Sequence, residues 1–183
     1  MSSSAEPTSK PVSILFVCLG NYCRSPMAEA YFHFLVQTHP SLSARISQLD
    51  SAGTTDYHSG SSPDPRTLSA LRSKGIESYK HTARQIAAND FVDFDYILAM
   101  DNSNLRDLQR MQKRALERNP TLKQPERKLG QVRLFGEGRG GDEQVGDPYY
   151  GGDEGFEECF AQIERFALGF VREACEWEGE EVK

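Results

Sequence analysis

Apolar and polar positions along this chain switch between two periods. Val12 to Val17 is a continuous apolar run broken by one serine, the pattern of a central parallel strand buried on both faces. Ser25-Pro26 opens a segment in which Met27, Ala30, Tyr31, Phe34 and Leu35 recur at helical spacing, and His39-Pro40 ends it. A second strand is predicted near Ile46–Ala52, closed by Gly53. Thr54–Ser62 is polar, contains Gly60 and reads as a loop. Asp64-Pro65 supplies the N-cap and first position of the next helix, and Gly75 its end. A connector with Tyr79, His81, Arg84 and Gln85 follows. A helical turn near Asn89–Phe91 precedes a third strand, Tyr96–Met100. Asp101-Asn102-Ser103 begins a helix that stops near Arg118, before Pro120. Thr121–Gly130 is polar and reads as an insertion, and Gln131–Phe135 is the fourth strand. Gly136–Gly146 is a glycine-rich charged loop, read as mobile, which leads into Asp147-Pro148-Tyr149-Tyr150-Gly151-Gly152. The last helix spans Gly155 to Trp177, with Phe156, Phe160, Ile163, Phe166, Phe170 and Ala174 on one face.

Strands that alternate with helices at short spacing imply one α/β domain with a parallel sheet. In such open sheets ligands bind beyond the carboxyl ends of the strands. A length of 183 residues suits a single domain with a sizeable core. We place that domain at residues 12–177, between a polar, serine-rich tail at 1–11 and a short tail at 178–183. No apolar run approaches the roughly 20 residues of a membrane span. The first eleven residues hold no hydrophobic segment, so a secretory signal is not expected; a cytoplasmic location with reduced thiols is.

The net charge of −6 is uneven. Arg106–Lys128 holds eight basic and three acidic residues, whereas Glu137–Lys183 holds fourteen acidic and four basic. The overall balance argues against nucleic acid as a partner. The basic segment reads first as a solvated helix face and second as a dock for an acidic partner.

The chemistry concentrates in Cys18-Leu19-Gly20-Asn21-Tyr22-Cys23-Arg24-Ser25-Pro26, a tight loop between the first strand and the first helix. Amides of such a loop and the helix N-terminus converge on one point and attract an anion. Thiolate is the nucleophilic form of cysteine, and an anion-binding setting favours it. Arg24 adds a planar fork for two oxygens of a phosphate. At a helix start it would face the positive dipole end, which is unfavourable without an anion. Ser25 suits an N-cap, and Asn21 tolerates left-handed backbone angles. Asp147 follows the fourth strand and so reaches the same sheet edge; Pro148 biases it towards an extended conformation. Alone, Cys18 would read as a small buried residue and Asp147 as a turn former. Cys18, Cys23, Cys159 and Cys175 form no zinc-type pair and none lies near a histidine at ligand spacing.

Residues 17–30, Val-Cys-Leu-Gly-Asn-Tyr-Cys-Arg-Ser-Pro-Met-Ala-Glu-Ala, together with Asp147-Pro148-Tyr149-Tyr150, resemble the low-molecular-weight protein tyrosine phosphatases. The resemblance runs over roughly residues 12–176 and includes Asp50–Gly53, Ala83–Gln85, Phe94–Leu98 and Ser103–Leu108. It implies a flavodoxin-like open sheet of four parallel strands, order 2-1-3-4, with helices on both faces. It implies hydrolysis of phosphotyrosine proteins and small aryl phosphates through a cysteinyl-phosphate, without metal or other cofactor, by a monomer or weak dimer. In those terms Cys18 is the nucleophile, Arg24 the phosphate clamp and Asp147 the general acid and base. Ser25 bonds the Cys18 thiolate, and Asn21, Ser51 and His81 hold the loop's shape. Tyr22, Tyr57, Tyr149 and Tyr150 wall the substrate pocket, and Cys18 with Cys23 is a reversible disulfide pair. Tyr149 and Tyr150 are phosphorylation sites in animal members, which is not carried over here. The chain departs from animal members at Tyr22, at His58 after Tyr57, and in longer segments at Thr121–Gly130 and Gly138–Gln144. A related branch reduces arsenate, but that chemistry relays through further cysteines, and none lies between Cys23 and Cys159. A non-catalytic phosphotyrosine-binding module is opposed by the joint presence of Cys18, Arg24 and Asp147.

Overall fold

A computed structural model describes residues 10–123, 128–138 and 143–177. The expected tail at 1–11 lies almost wholly outside the described residues, as do the tail at 178–183 and parts of both expected insertions.

Four strands form one parallel sheet: β1 (Val12–Cys18), β2 (Ile46–Gly53), β3 (Tyr96–Ala99) and β4 (Gln131–Leu134). Their order is β2-β1-β3-β4, the flavodoxin-like order expected. β1 is central, and its alternate residues enter two cores. Ile14 and Phe16 pack with α1 (Arg24–Thr38) and the last helix, Asp153–Ala174. Leu15 and Val17 pack on the opposite face with Ile97, Ala99, Leu108 and Leu134. Burial on both faces is why β1 reads as an unbroken apolar run rather than an alternating one.

The remaining helices are α2 (Pro40–Ser43), α3 (Pro65–Ser73), α4 (Asp90–Asp93), α5 (Asn102–Arg118) and α6, the last helix just named; a 3₁₀ turn covers Pro120–Leu122. Asp64 caps α3 by accepting from Arg66 N at 2.8 Å, and Asp101 caps α5 by accepting from Asn104 N at 2.8 Å. Both caps follow from the sequence signals.

His39-Pro40 ends α1, with His39 as its C-cap, and Pro40 then takes the first position of α2, a single turn whose Leu42 is fully buried. Two expectations need correction. Ser25 is not the N-cap of α1. The helix begins at Arg24, and the Ser25 hydroxyl turns inward to Cys18, Asn21 and Ala52. Finally, α1 has no single apolar stripe: every residue from Arg24 to Phe32 is buried, because the helix is packed against strands, α3 and α6 together. The inward-facing polar residues Arg24, Ser25 and Glu29 therefore had no periodicity to announce them.

Candidate active site

The loop between β1 and α1 stands at the carboxyl edge of the sheet. Asn21 sits at its centre with φ +54°, a left-handed conformation that asparagine tolerates better than most residues. Its side chain is fully buried and fully bonded. Asn21 Nδ2 donates to Ser25 Oγ at 3.0 Å and to Ser51 Oγ at 2.9 Å. Asn21 Oδ1 accepts from Arg84 N at 2.9 Å and lies 2.8 Å from His81 Nε2, which therefore donates. Ser51 Oγ donates in turn to Glu29 Oε2 at 2.6 Å. Since Ser25 Oγ accepts from Asn21, its own hydrogen is free for Cys18 Sγ at 3.1 Å or Ala52 O at 3.3 Å. A thiolate is the stronger acceptor of the two.

Backbone packing tightens the same loop from below. A Cβ at Gly53 would lie 2.9 Å from Leu19 O and 3.0 Å from Asn21 N, so only glycine lets the end of β2 approach. Thr54 N and Thr55 N donate to Cys18 O and Leu19 O, both at 2.9 Å.

Arg24 is 3% exposed and lies between two carboxylates. Arg24 Nη1 donates to Asp101 Oδ2 at 2.6 Å and to Val145 O at 3.2 Å; Nη2 donates to Asp147 Oδ2 at 3.2 Å. Burial works against the guanidinium charge, but Cys18, Asp101 and Asp147 outweigh it and hold the pKa above its ordinary value. The segment carrying Asp147 is anchored by Val145 N, which donates to Met100 O at 2.8 Å. Asp147 Oδ1 accepts from Tyr149 N at 3.2 Å, and the side chain remains 43% exposed.

A cavity of about 240 Å³ opens over this floor. Cys18 and Arg24 lie at its base, with Tyr22, Tyr57, Tyr149 and Tyr150 around it. Neither Tyr149 nor Tyr150 is a core residue: they are 38% and 93% exposed, with ring centroids 5.0 Å apart. Tyr22 stacks on His58 at 4.1 Å and 8°, and His58 lies so close over the loop that a Cβ at Gly20 would sit 2.7 Å from its Cδ2.

Cys23, itself part of the loop, is buried, and its Sγ donates to Asp64 Oδ2 at 3.6 Å. Burial first, and the Asp64 carboxylate second, push its thiol well above the usual range.

Cys18, Asn21, Tyr22, Cys23, Arg24, Ser25, Ser51, Tyr57, His81, Asp147, Tyr149 and Tyr150 are brought together here, and three more residues join them. Asp101 was legible as a helix cap but not as the partner of Arg24. Glu29 was read only as part of a motif, yet it ends the Asn21–Ser51 chain of hydrogen bonds and also accepts from Tyr79 Oη at 2.8 Å. His58 was noted only as a neighbour of Tyr57. The one potential metal-binding group found among the described residues is Glu29, Asp50 and His81, with ligand atoms within 4.8 Å of one another. Their atoms are already engaged, Asp50 by Arg84 and Ser51, His81 by Asn21, and Glu29 by Ser51 and Tyr79.

Residues 13–178 match the model of the family described as low molecular weight phosphotyrosine protein phosphatase. The chain is 45% identical to the protein of that description from Schizosaccharomyces pombe, over 89% of this chain and 97% of the relative. It is 42% identical to the human one, over 93% and 99%. Among solved structures, a protein tyrosine phosphatase from Entamoeba histolytica with Hepes in its active site superposes with TM-score 0.74 at 32% identity, covering 90% and 97% of the two chains. A Drosophila arginine phosphatase superposes with TM-score 0.73 at 35% identity, covering 92% and 99%.

Proposed function

Since the chain belongs to the low molecular weight phosphotyrosine protein phosphatase family, we propose that Cys18, Arg24 and Asp147 carry out its hydrolysis of phosphotyrosine in two steps. Cys18 Sγ attacks phosphorus; the S–P bond forms as the P–O bond to the phenol breaks. Asp147 gives its proton to the departing oxygen, a role worth about 10²–10⁴-fold. Water then attacks the cysteinyl-phosphate and loses its proton to Asp147, and the thiolate leaves with the Ser25 hydroxyl donating to it. Arg24 grips two equatorial oxygens and loop amides the third, so charge that spreads in the transition state meets fixed donors.

The observation that carries this reading is the Arg24 fork, buried and held between Asp101 and Asp147 at the base of the Cys18 cavity. The phosphate dianion replaces the Asp147 carboxylate at Nη2; freed of that ion pair, Asp147 takes up a proton from solvent and turns towards the leaving group as the acid. The tyrosines around the mouth favour a ring-bearing substrate, since aromatic walls stack on an aryl group and a shorter phosphoserine would not reach the floor. Cys23 serves as the resolving thiol for an oxidised Cys18.

Turnover of phosphotyrosine and phosphoserine peptides by wild type and Cys18→Ser, with chelator present, tests the scheme. Phosphoarginine belongs in the same panel, because a structural relative is an arginine phosphatase. The expected result is fast phosphotyrosine turnover, none by Cys18→Ser, and a trapped phosphocysteine after acid quench. Undiminished turnover by Cys18→Ser would overturn the mechanism, and faster turnover of phosphoarginine would overturn the substrate.

A further inference from the structure

A second groove, of about 430 Å³, lies between the residues that follow β2 and helix α5. It is lined by Thr54 and Thr55 on one side and by Asp107, Arg110, Met111 and Arg114 of α5 on the other. Its link to the active site is short. Thr55 N and Thr55 Oγ1 both donate to Leu19 O at 2.9 Å, and Leu19 itself lines the Cys18 cavity and is 42% exposed. Thr55 thus joins a wall of the groove to a residue that lines the Cys18 cavity.

The helix that forms the far wall is charged in one sense. Arg106, Arg110, Lys113, Arg114 and Arg118 are exposed along α5, against Asp107 and Glu117. Arg110 pairs with Asp107; among the described residues no carboxylate pairs with Arg106, Lys113, Arg114 or Arg118. Arg106, Arg110 and Arg114 are four residues apart, so they line one face of the helix. On a chain of net charge −6, this is a local positive field beside the active site.

We propose that this groove docks acidic residues flanking the phosphotyrosine of a protein substrate, with Arg110 and Arg114 as the contacts. The inference rests on the phosphotyrosine phosphatase reading and names a substrate class for it. A phosphotyrosine seated over Cys18 leads its chain across Leu19, and carboxylates a few residues away meet the α5 guanidiniums. Arg suits this, because its fork binds carboxylates in bidentate fashion. The contact is solvated, so it acts on association and KM rather than on the chemical step, and it weakens with salt.

The test compares three substrates: a phosphotyrosine peptide with glutamates on both sides, the same peptide with glutamines, and a small aryl phosphate. Wild type should prefer the acidic peptide through KM, with a preference that shrinks as salt rises. Arg110→Gln with Arg114→Gln should remove that preference, a loss of about three- to tenfold for solvated pairs. The other two substrates should be turned over as before, which also shows that the variant is folded. Arg114→Glu should disfavour the acidic peptide further. Arg72→Gln, which removes one positive charge on α3, should leave the preference intact, whereas Arg114→Gln alone should already reduce it. Equal turnover of both peptides by wild type, or an equal effect of Arg72→Gln, would overturn the groove. Failure of all three substrates would instead overturn the phosphatase reading.

Discussion

Asp101 Oδ2 lies 2.6 Å from Arg24 Nη1, while Asp101 Oδ1 accepts from Asn104 N at 2.8 Å. One carboxylate thus both caps α5 and fixes the buried Arg24 guanidinium. The two roles separate by substitution. Asp101→Asn keeps a capping oxygen but loses the charge on Arg24, so kcat/KM should fall about 10- to 100-fold, the effect of a misplaced binding group, at little cost in stability. Asp101→Ala should add a loss of about 1 kcal/mol for the missing cap. Steady-state kinetics beside urea unfolding of both variants checks the split.

Asp147 faces Arg24 at 3.2 Å, the place a phosphate takes in the proposed cycle. Asp147→Ala should slow release of poor leaving groups about 100-fold or more while sparing good ones. It should also tighten binding of inorganic phosphate, because a competing anion is gone. Leaving-group dependence and product-inhibition constants report the two effects, and an unchanged rate with a poor leaving group would refute the acid role.

Asn21 satisfies four groups at once: Ser25, Ser51, His81 and the Arg84 amide. Asn21→Ala leaves those buried partners short and loses the side chain that tolerates φ +54°, so stability should drop by about 1–3 kcal/mol and kcat should fall as well. Asn21→Gly relieves only the backbone. If it restored kcat, the amide's role in orienting Ser25 would be wrong.

Burial raises the Glu29 carboxyl, but hydrogen bonds from His33, Ser51 and Tyr79 and the charge on His81 outweigh that and leave its pKa below the usual value. A carboxylate whose folded pKa lies below its unfolded value of about 4.3 contributes stability above that pH. The contribution disappears as pH falls through the folded value. Glu29→Gln should therefore flatten the acid limb of the urea midpoint between about pH 5 and pH 3. An acid limb as steep as wild type would assign it to other carboxylates.

Cys23 holds its proton because it is buried beside Asp64. After mild peroxide the Cys18 sulfenic acid should condense with Cys23, slowly, since the resolving thiol is protonated. Asp64→Asn keeps an α3 cap and removes the nearby charge, so the disulfide should form faster. A peptide map that shows only sulfonic acid at Cys18 would rule the pair out.

The sequence by itself determined the order of elements and which residues stand at the carboxyl edge of the sheet. Val12–Val17 has the pattern of a strand buried on both faces, and Asp64-Pro65 and Asp101 carry their caps within a few residues. The spacing from Cys18 to Arg24 lies inside one turn and one loop, so it was readable as a unit. Tertiary structure decided what depends on contacts between distant segments. Ser25 abandons its cap because Asn21 and Cys18 lie within reach of its hydroxyl. Asp101 meets Arg24 across 77 residues, and Glu29 is joined to Asn21 through Ser51. His58 lies flat on Tyr22 only because the loop after β2 folds back over the first. Such partners share no periodicity and no spacing; burial of their polar groups selects them, and burial is a property of the packed sheet.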